Sequence, residues 1–292
     1  MSMKTTFYED INEFYDIVLP FLLKKEVENG LLLSILNSLK QNIERYGEEH
    51  PVLCIVNGDN DIKLVSLRTP PYNQLLSYTD KLESIDILID ALIKRKDNIP
   101  GVLGFKEGVE RFSRLWSEKK GIKSKITMNE RLYTLKKVAE ETLGDNKFIK
   151  ATGSHENIVL QWGREFMLEA LPDRSLEMVE RSLEQLRKDL HEGRMFLLFD
   201  NKLPVSMARS AGKSVHGISV NQVYTPPSLR RKGYATECVA KLSKLLLEEG
   251  NEFCFLFTDL SNPTSNSVYQ KIGYRPVIDI DEYQFIKNNI NQ

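Results

Sequence analysis

The sequence has little that would tie it to a metal, a nucleic acid or a bilayer. Cysteine is scarce: Cys54, Cys238 and Cys254 are the only three in 292 residues. None stands at metal-ligand spacing, and Cys254, inside Phe253-Cys-Phe-Leu-Phe257, reads as a buried structural thiol. Charge of either sign is not in excess, since 40 basic residues face 41 acidic ones and the net charge is −1. That excludes the electrostatic footprint of a nucleic-acid binder and a polybasic membrane surface. No apolar run approaches the length of a transmembrane helix. Met1-Ser-Met-Lys-Thr-Thr lacks the apolar core of a signal peptide, so the expected location is the cytoplasm. The phosphate-loop pattern G-x-x-x-x-G-K-[ST] is missing, which rules out that class of nucleotide site. What remains is a composition of 41% hydrophobic and 28% charged residues, that of a soluble globular protein long enough for one large domain or two ordinary ones.

Taken in order, the chain alternates strand and helix signals. Thr5–Tyr8 reads as a strand, with Asp10 placed to cap a helix carrying Ile11, Phe14, Tyr15, Val18 and Leu22 and broken or kinked near Pro20. A second helix carries Leu31, Leu32, Ile35, Leu36 and Leu39. Pro51–Val56 and Ile62–Leu67 flank Asn57-Gly-Asp-Asn-Asp61 as a hairpin. Ser84–Ile93 is a helix, Pro100–Gly104 a turn, Val109–Trp116 the start of another helix, and Ser124–Leu135 a strand. The polar run Ala139–Lys147 is the best linker. After it the order restarts: strand Phe148–Ala151, a helix through Ile158, Trp162 and Met167, a helix from Ser175 to His191, and strands at Met195–Phe199 and around Val205–Ala208. Strand Phe253–Thr258, a short helix and closing strands Tyr274–Val277 and Glu282–Phe285 follow. The expected division is therefore residues 1–138, a linker at 139–147, and residues 148–292. The first part is either a degenerate copy of the second or an unrelated α/β cap. Thr69-Pro70-Pro71 echoes Thr225-Pro226-Pro227, but at different distances from the preceding turns, so the echo is read as chance.

One stretch organises the rest: Val220-Asn-Gln-Val-Tyr-Thr-Pro-Pro-Ser-Leu-Arg-Arg-Lys-Gly-Tyr-Ala-Thr236. It opens as a strand of β-formers, stops at two prolines, and turns into a helix through Val239, Leu242, Leu245 and Leu246. Basic residues, a glycine and a small residue thus crowd a helix N-terminus. Free N–H groups, the positive end of the helix dipole and a glycine make that a phosphate site.

Arg230-x-x-Gly233-x-Ala235 matches the Q/R-x-x-G-x-G/A motif of the GNAT acyltransferases. Asn262-Pro-Thr-Ser-Asn266-Ser-Val-Tyr269-Gln-Lys-Ile-Gly273-Tyr274 resembles that family's later motif. The likeness spans roughly Phe148 to Phe285, and the two-half layout resembles the glycine N-acyltransferase branch. It implies an α/β (α+β) fold with a central mixed, mostly antiparallel sheet flanked by helices, in tandem with a degenerate first half. That first half has no such hexad; Pro100–Gly104 falls near the equivalent place but brings no basic residue.

The resemblance also implies a chemistry: transfer of an acetyl or other short acyl group from coenzyme A to a primary amine, directly in a ternary complex, with acetyl-CoA or another acyl-CoA as cosubstrate and no metal. The amides from Arg230 to Thr236, with Arg231, Lys232, Gly233, Tyr234 and Ala235 between, are expected to hold the pyrophosphate. Gly233 leaves room, Ala235 allows close packing and Thr236 offers a hydroxyl. Gln222, Val223, Tyr224 and Thr225 are expected to line the pantetheine arm, with an N–H near Val223 or Tyr224 polarising the thioester. Asn262, Asn266 and Ser267 belong to the later motif, and Tyr269 corresponds to the acid for the departing thiolate. The family's strand glutamate is missing, which leaves His216, a relaying water or an already neutral amine to manage the nucleophile's proton. Cys238 is not required as an acyl carrier. The acceptor is expected to be a small-molecule amine or amino acid, with no nucleic acid or membrane partner and with a homodimer as the candidate assembly. The rival reading is a non-catalytic acyl-CoA-binding or regulatory protein.

Overall fold

The structure, a computed structural model, describes residues 3–59, 61–170 and 175–286. The first half runs β1 (Lys4–Tyr8), α1 (Ile11–Leu22), α2 (Gly30–Gln41), β2 (Val52–Asn57), β3 (Ile62–Arg68), β4 (Gln74–Leu76), α3 (Glu83–Arg95), β5 (Gly101–Phe105), α4 (Lys106–Lys120) and β6 (Lys123–Leu135). The second half repeats that order: β7 (Lys147–Lys150), α5 (Glu156–Ala170), α6 (Leu176–His191), β8 (Met195–Asp200), β9 (Leu203–Lys213), β10 (Gly217–Tyr224), α7 (Tyr234–Glu248), β11 (Phe253–Asp259), α8 (Pro263–Ile272) and β12 (Arg275–Ile286). Both halves are one fold.

The differences from the sequence reading have local causes. Pro20 lies inside α1 instead of breaking it. Strand β4 is only three residues long, too short for a period-2 pattern to register. Pro100–Gly104 is not a turn, because Gly101 to Phe105 form β5. A Cβ on Gly101 would lie 2.2 Å from the Tyr283 carbonyl, so this glycine serves close approach between strands. The two closing strands are a single strand, β12. Asp279 and Asp281 interrupt its apolar alternation, yet both are held by β6: Arg131 forms a two-bond pair with Asp279 and the Asn129 amide donates to Asp281 at 2.9 Å. Thr69-Pro70-Pro71 follows β3 whereas Thr225-Pro226-Pro227 follows β10, so the two are not equivalent.

All the strands join one twelve-stranded sheet in the order β1-β2-β3-β4-β5-β12-β6-β11-β10-β9-β8-β7. The order is its own mirror when the halves are exchanged: β1 answers β7, β5 answers β11, and β6 answers β12. The pairs β4–β5 and β10–β11 are parallel, and the other pairs are antiparallel. The last strand of each half pairs with the other half. β12 lies against β5 from Ile280↔Phe105 to Gln284↔Gly101, and β6 lies against β11 from Cys254↔Leu135 to Asp259↔Glu130. β6 and β12 then pair with each other along nearly their whole length.

The packing crosses the divide as well. Phe253 and Phe255 of β11 and Leu132 of β6 share a buried cluster with α3, α4 and β5. Helix α2 rests its leucines on β2 to β4 while its other edge meets the second half. A Cβ on Gly30 would touch the Phe255 ring at 3.0 Å, and one on Gly212 of β9 would lie 2.6 Å from Ser34. Asn37 donates to the carbonyls of Lys213 and Ser214. Fully burying each apolar side chain contributes about 1.5–3 kcal/mol, so the shared clusters bind the halves as a core does.

Residues 1–138 expressed alone keep β6 without either of its neighbours and leave β5 with an open edge. The expected outcome is self-association or precipitation; a monomer in sedimentation that melts cooperatively would show that the exchanged strands contribute little.

Candidate functional site

Strands β10 and β11 pair only at Gly217↔Phe253, Ile218↔Cys254 and Ser219↔Phe255. Beyond Ser219 they part, opening a cleft. On its other edge β10 pairs with β9, but the register shifts between Asn221 and Tyr224, so Gln222 and Val223 have no Cα partner there either. Gln222 adopts φ +49, a left-handed conformation that side chains favour little. This is a β-bulge at the wall of a cleft, where bulges commonly re-aim backbone groups. Its flanks are anchored: the Tyr224 carbonyl accepts from Ser206, the Tyr224 hydroxyl donates to Glu165 at 3.0 Å, and Asn221 Oδ1 accepts from Arg209 Nε at 2.7 Å. Burial and the Glu165 carboxylate push the Tyr224 phenol up to about 12.

The turn after β10 opens on the same end. Its first N–H groups are spent within a short 3₁₀ turn, because Arg230 donates its backbone N–H to the Pro227 carbonyl. The Arg230 side chain is also committed: Nε donates to the Thr225 carbonyl, and the guanidinium forms a two-bond pair with Glu169 at 2.8 and 2.6 Å. Two of the expected ligand groups, the Arg230 amide and the Thr225 carbonyl, are therefore taken up by the protein itself. Past them the chain changes character. Arg231 and Gly233 both adopt left-handed φ, +63 and +86, and Arg231, Lys232 and Gly233 are exposed. The first bond of α7 runs from the Glu237 N–H to the Gly233 carbonyl, and no side chain caps the helix. The amides of Tyr234, Ala235 and Thr236 thus precede the helical ladder, and with the left-handed turn Arg231 to Gly233 they make a helix start of the kind that suits an anion. A Cβ at Gly233 meets nothing within 4 Å; what calls for glycine in the protein itself is the positive φ.

The later motif forms the loop after β11. Asn262 caps α8, accepting from the Ser265 N–H at 3.1 Å. Asn266 donates to the Asp259 and Asn262 carbonyls and accepts from the Tyr133 hydroxyl. Both asparagine side chains therefore hold the loop in shape, while Ser267 is exposed on α8. Tyr269 is 9% exposed and stacks edge-on against Tyr274. It belongs to the buried cluster that includes Val220 of β10 and, at its edge, Ile218 and Val223 of the same strand. Burial pushes its phenol up to about 12.

Residues 159–274, which contain the cleft, the turn and the loop, match the model of the acetyltransferase (GNAT) family. The second half carries a GNAT domain. Solved structures give the same fold over the whole length. A Drosophila protein superposes with a TM-score of 0.69 at 12% identity, covering 98% of this chain and 99% of its own. A tandem GNAT protein from the clavulanic acid biosynthesis pathway gives 0.57 at 9% identity and covers 100% of both chains. A GNAT-family acetyltransferase from Colwellia psychrerythraea gives 0.53 at 12% identity, covering 86% of this chain and 97% of its own. At these identities the likeness is one of fold. No curated protein shows significant similarity.

The first half has the GNAT fold without the GNAT site. Its counterpart of the 225–236 turn is the stretch 77–84 between β4 and α3, not Pro100–Gly104. That stretch has no glycine, and α3 places two carboxylates, Glu83 and Asp86, in its first turn, where α7 has one, Glu237, buried and bonded to Asn146 and Lys241. The end of its parallel pair is closed: Tyr78 and Phe105 pack with ring centroids 5.3 Å apart, and the Tyr78 N–H is taken by Asn29 at 2.8 Å.

His216 stands away from the turn. It precedes β10 at the end where β10 and β11 still pair, and seven residues of strand at about 3.3 Å each separate it from Val223. Its Nδ1 lies 2.7 Å from Glu26, which also accepts from the Ser214 hydroxyl and from the backbone N–H groups of Val215 and His216. It is a latch between the halves. The Glu26 bond and charge raise the His216 pKa. For Glu26 the largest influence, burial, raises its pKa, but the bonds from His216 and Ser214 together bring it below its ordinary value. Cys238 and Cys254 are buried, with thiols pushed up to about 12 by desolvation, unlike reactive thiolates. What the sequence did not disclose is the polar cluster behind Asn221, whose members come from four separate elements.

The latch has a pH window. A raised imidazole pKa stabilises the fold fully below 6.5 and loses that effect as pH rises through the folded value. A depressed carboxylate pKa stabilises above 4.5 and fails as pH falls through its folded value. The melting-temperature gap between wild type and His216→Ala is expected to be widest between these limits and to shrink above neutrality. A gap that does not vary from pH 5 to 8 rules out the charged pair.

Proposed function

We propose that the second half transfers an acetyl or other short acyl group from coenzyme A to a primary amine, directly and without an enzyme-bound acyl group. The observation that carries this reading is the continuity of three features on one strand: a cleft between parallel strands, a bulge with unpaired backbone at its wall, and an uncapped left-handed turn at its mouth. These fit acyl-CoA in its parts. The amides of residues 231–236, with Arg231 and Lys232 beside them, suit the pyrophosphate, and the cleft suits the pantetheine arm. The unpaired backbone at Gln222 and Val223 suits a thioester carbonyl.

In the reaction the amine attacks the carbonyl carbon, negative charge builds on the carbonyl oxygen, and the carbon–sulfur bond breaks. A backbone N–H of the bulge stabilises that charge. Tyr269, kept protonated by burial, gives its proton to the departing thiolate. His216 has no part in this scheme because Glu26 holds it at the far end of the strand; the amine attacks in its neutral form, and water carries off the proton its nitrogen then loses and returns one to Tyr269. The acceptor in this reading is a small amine or amino acid, which is supported by the first half's α2 lying against β9 and β11. The loss of His216 as a base also keeps the rival reading, acyl-CoA binding without turnover.

Calorimetric titration with acetyl-CoA is the first test. Wild type is expected to bind, and Gly233→Glu, which brings a carboxylate into the turn, to abolish binding; a wild type that does not bind overturns the reading. For turnover, CoA release with an amine panel is expected to fall about 10²-fold in Tyr269→Phe, within the range of general-acid effects, with acetyl-CoA affinity kept. Binding without release in wild type selects the non-catalytic reading.

A further inference from the structure

Behind the bulge lies a polar chain that begins in the other half. Arg45, in the turn after α2, donates from Nη2 to Asp189 Oδ1 at 3.2 Å. Asp189, on α6 and only 3% exposed, receives Arg209 Nη1 on its second oxygen at 2.5 Å. Arg209, on β9, donates from Nε to Asn221 Oδ1 at 2.7 Å. Asn221 is the residue immediately before left-handed Gln222. Gln185 also donates to Asp189, Arg194 stands 3.8 Å from it, and Arg45 and Arg194 both pair with Glu192.

Each link has directional chemistry. A guanidinium is a rigid fork, so pairing one arm with Asp189 fixes where its Nε points. Asp189 is buried beside Arg45, Arg194 and Arg209, and charge-assisted bonds in such a setting are strong and unforgiving of lost partners. Burial lowers the Arg209 pKa while Asp189 opposes that effect, so the guanidinium depends on its carboxylate. Gln222 holds an unfavourable backbone conformation that persists only where its surroundings over-determine it. One flank of the bulge, at Tyr224, is held from within the second half by Ser206 and Glu165. The other, at Asn221, is held through a chain whose outermost member, Arg45, belongs to the first half.

We propose that Arg45 is a positioning residue for acyl transfer: acting through Asp189, Arg209 and Asn221, the first half fixes the bulge whose backbone meets the thioester carbonyl. A repeat that has lost its own ligand site thereby serves its partner's. The inference rests on the cleft being the acyl-CoA site, and it assigns no contact between Arg45 and substrate.

The experiment uses the full chain with carbonyl-labelled acetyl-CoA. Infrared difference spectra report how strongly the bound carbonyl is polarised, and CoA release with an active amine gives kcat and KM. For Arg45→Met the expected result is a carbonyl band moved back toward that of free acetyl-CoA and a kcat lowered by roughly tenfold. That is less than the 10²–10³ for outright loss of an oxyanion donor. The affinity for acetyl-CoA, set by the distant turn, changes by less than about twofold, and Arg45→Lys recovers part of both losses. An unchanged band and unchanged kcat overturn the proposal. So does a parallel loss of affinity, kcat and melting temperature, which would make the cluster only a brace. A wild type that fails to bind acetyl-CoA fails the functional reading itself, a result separable from either.

Discussion

Strands β6 and β12 run antiparallel through the middle of the sheet, each having left its own half to complete the other. A sheet edge with unpaired N–H and C=O groups is a liability, and each half has one, at β5 and at β11. The exchange closes both and makes the central pair the common boundary. Neither half then has a complete sheet without the other, and the buried cluster holding Phe253, Phe255 and Leu132 together with α3 and α4 belongs to neither alone. The polar pairs Arg131–Asp279 and Asn129–Asp281 fix the register of that central pair with bonds a one-residue slip would break.

The symmetry places two parallel strand pairs at equivalent points, and the halves use them oppositely. In the second, the strands part, the turn beyond adopts left-handed φ at Arg231 and Gly233, and the helix start is left bare. In the first, rings fill the gap, Asn29 takes the free N–H, and the helix start is acidic. The backbone plan is the same; a few side chains decide whether the end of the parallel pair is filled. The first half's α2, whose leucines lie on β2 to β4, also meets β9 and β11 with its other edge, so it serves both halves.

Much of this was legible in the sequence. The Arg230–Thr236 turn and the Asn262–Tyr274 loop are local, so the family resemblance of both can be seen in the residues themselves, and most helices and strands carried their own period. Four things were not legible. Pairing of strands distant in sequence leaves no periodic trace, so the exchange was hidden and Asp279 and Asp281 looked like a break in a strand. Gly101 marks a close strand contact that looks like a turn when its neighbour is unknown. His216 had the right pKa for a base, but only the fold shows Glu26 beside it. Arg45, Asp189, Arg209 and Asn221 are unremarkable residues until four elements bring them together.

Strand exchange also bears on the order in which the protein can be completed during synthesis. Asn73, beside β4, bonds to Glu282 of β12 across 209 residues of chain, and β5 gains its second neighbour only from that strand. The inner edge of the first half therefore stays open until β12 has been made. Such long-range pairings are slow to form and leave apolar edges exposed meanwhile. The architecture that makes the finished protein a single body leaves its N-terminal half incomplete while the rest is translated.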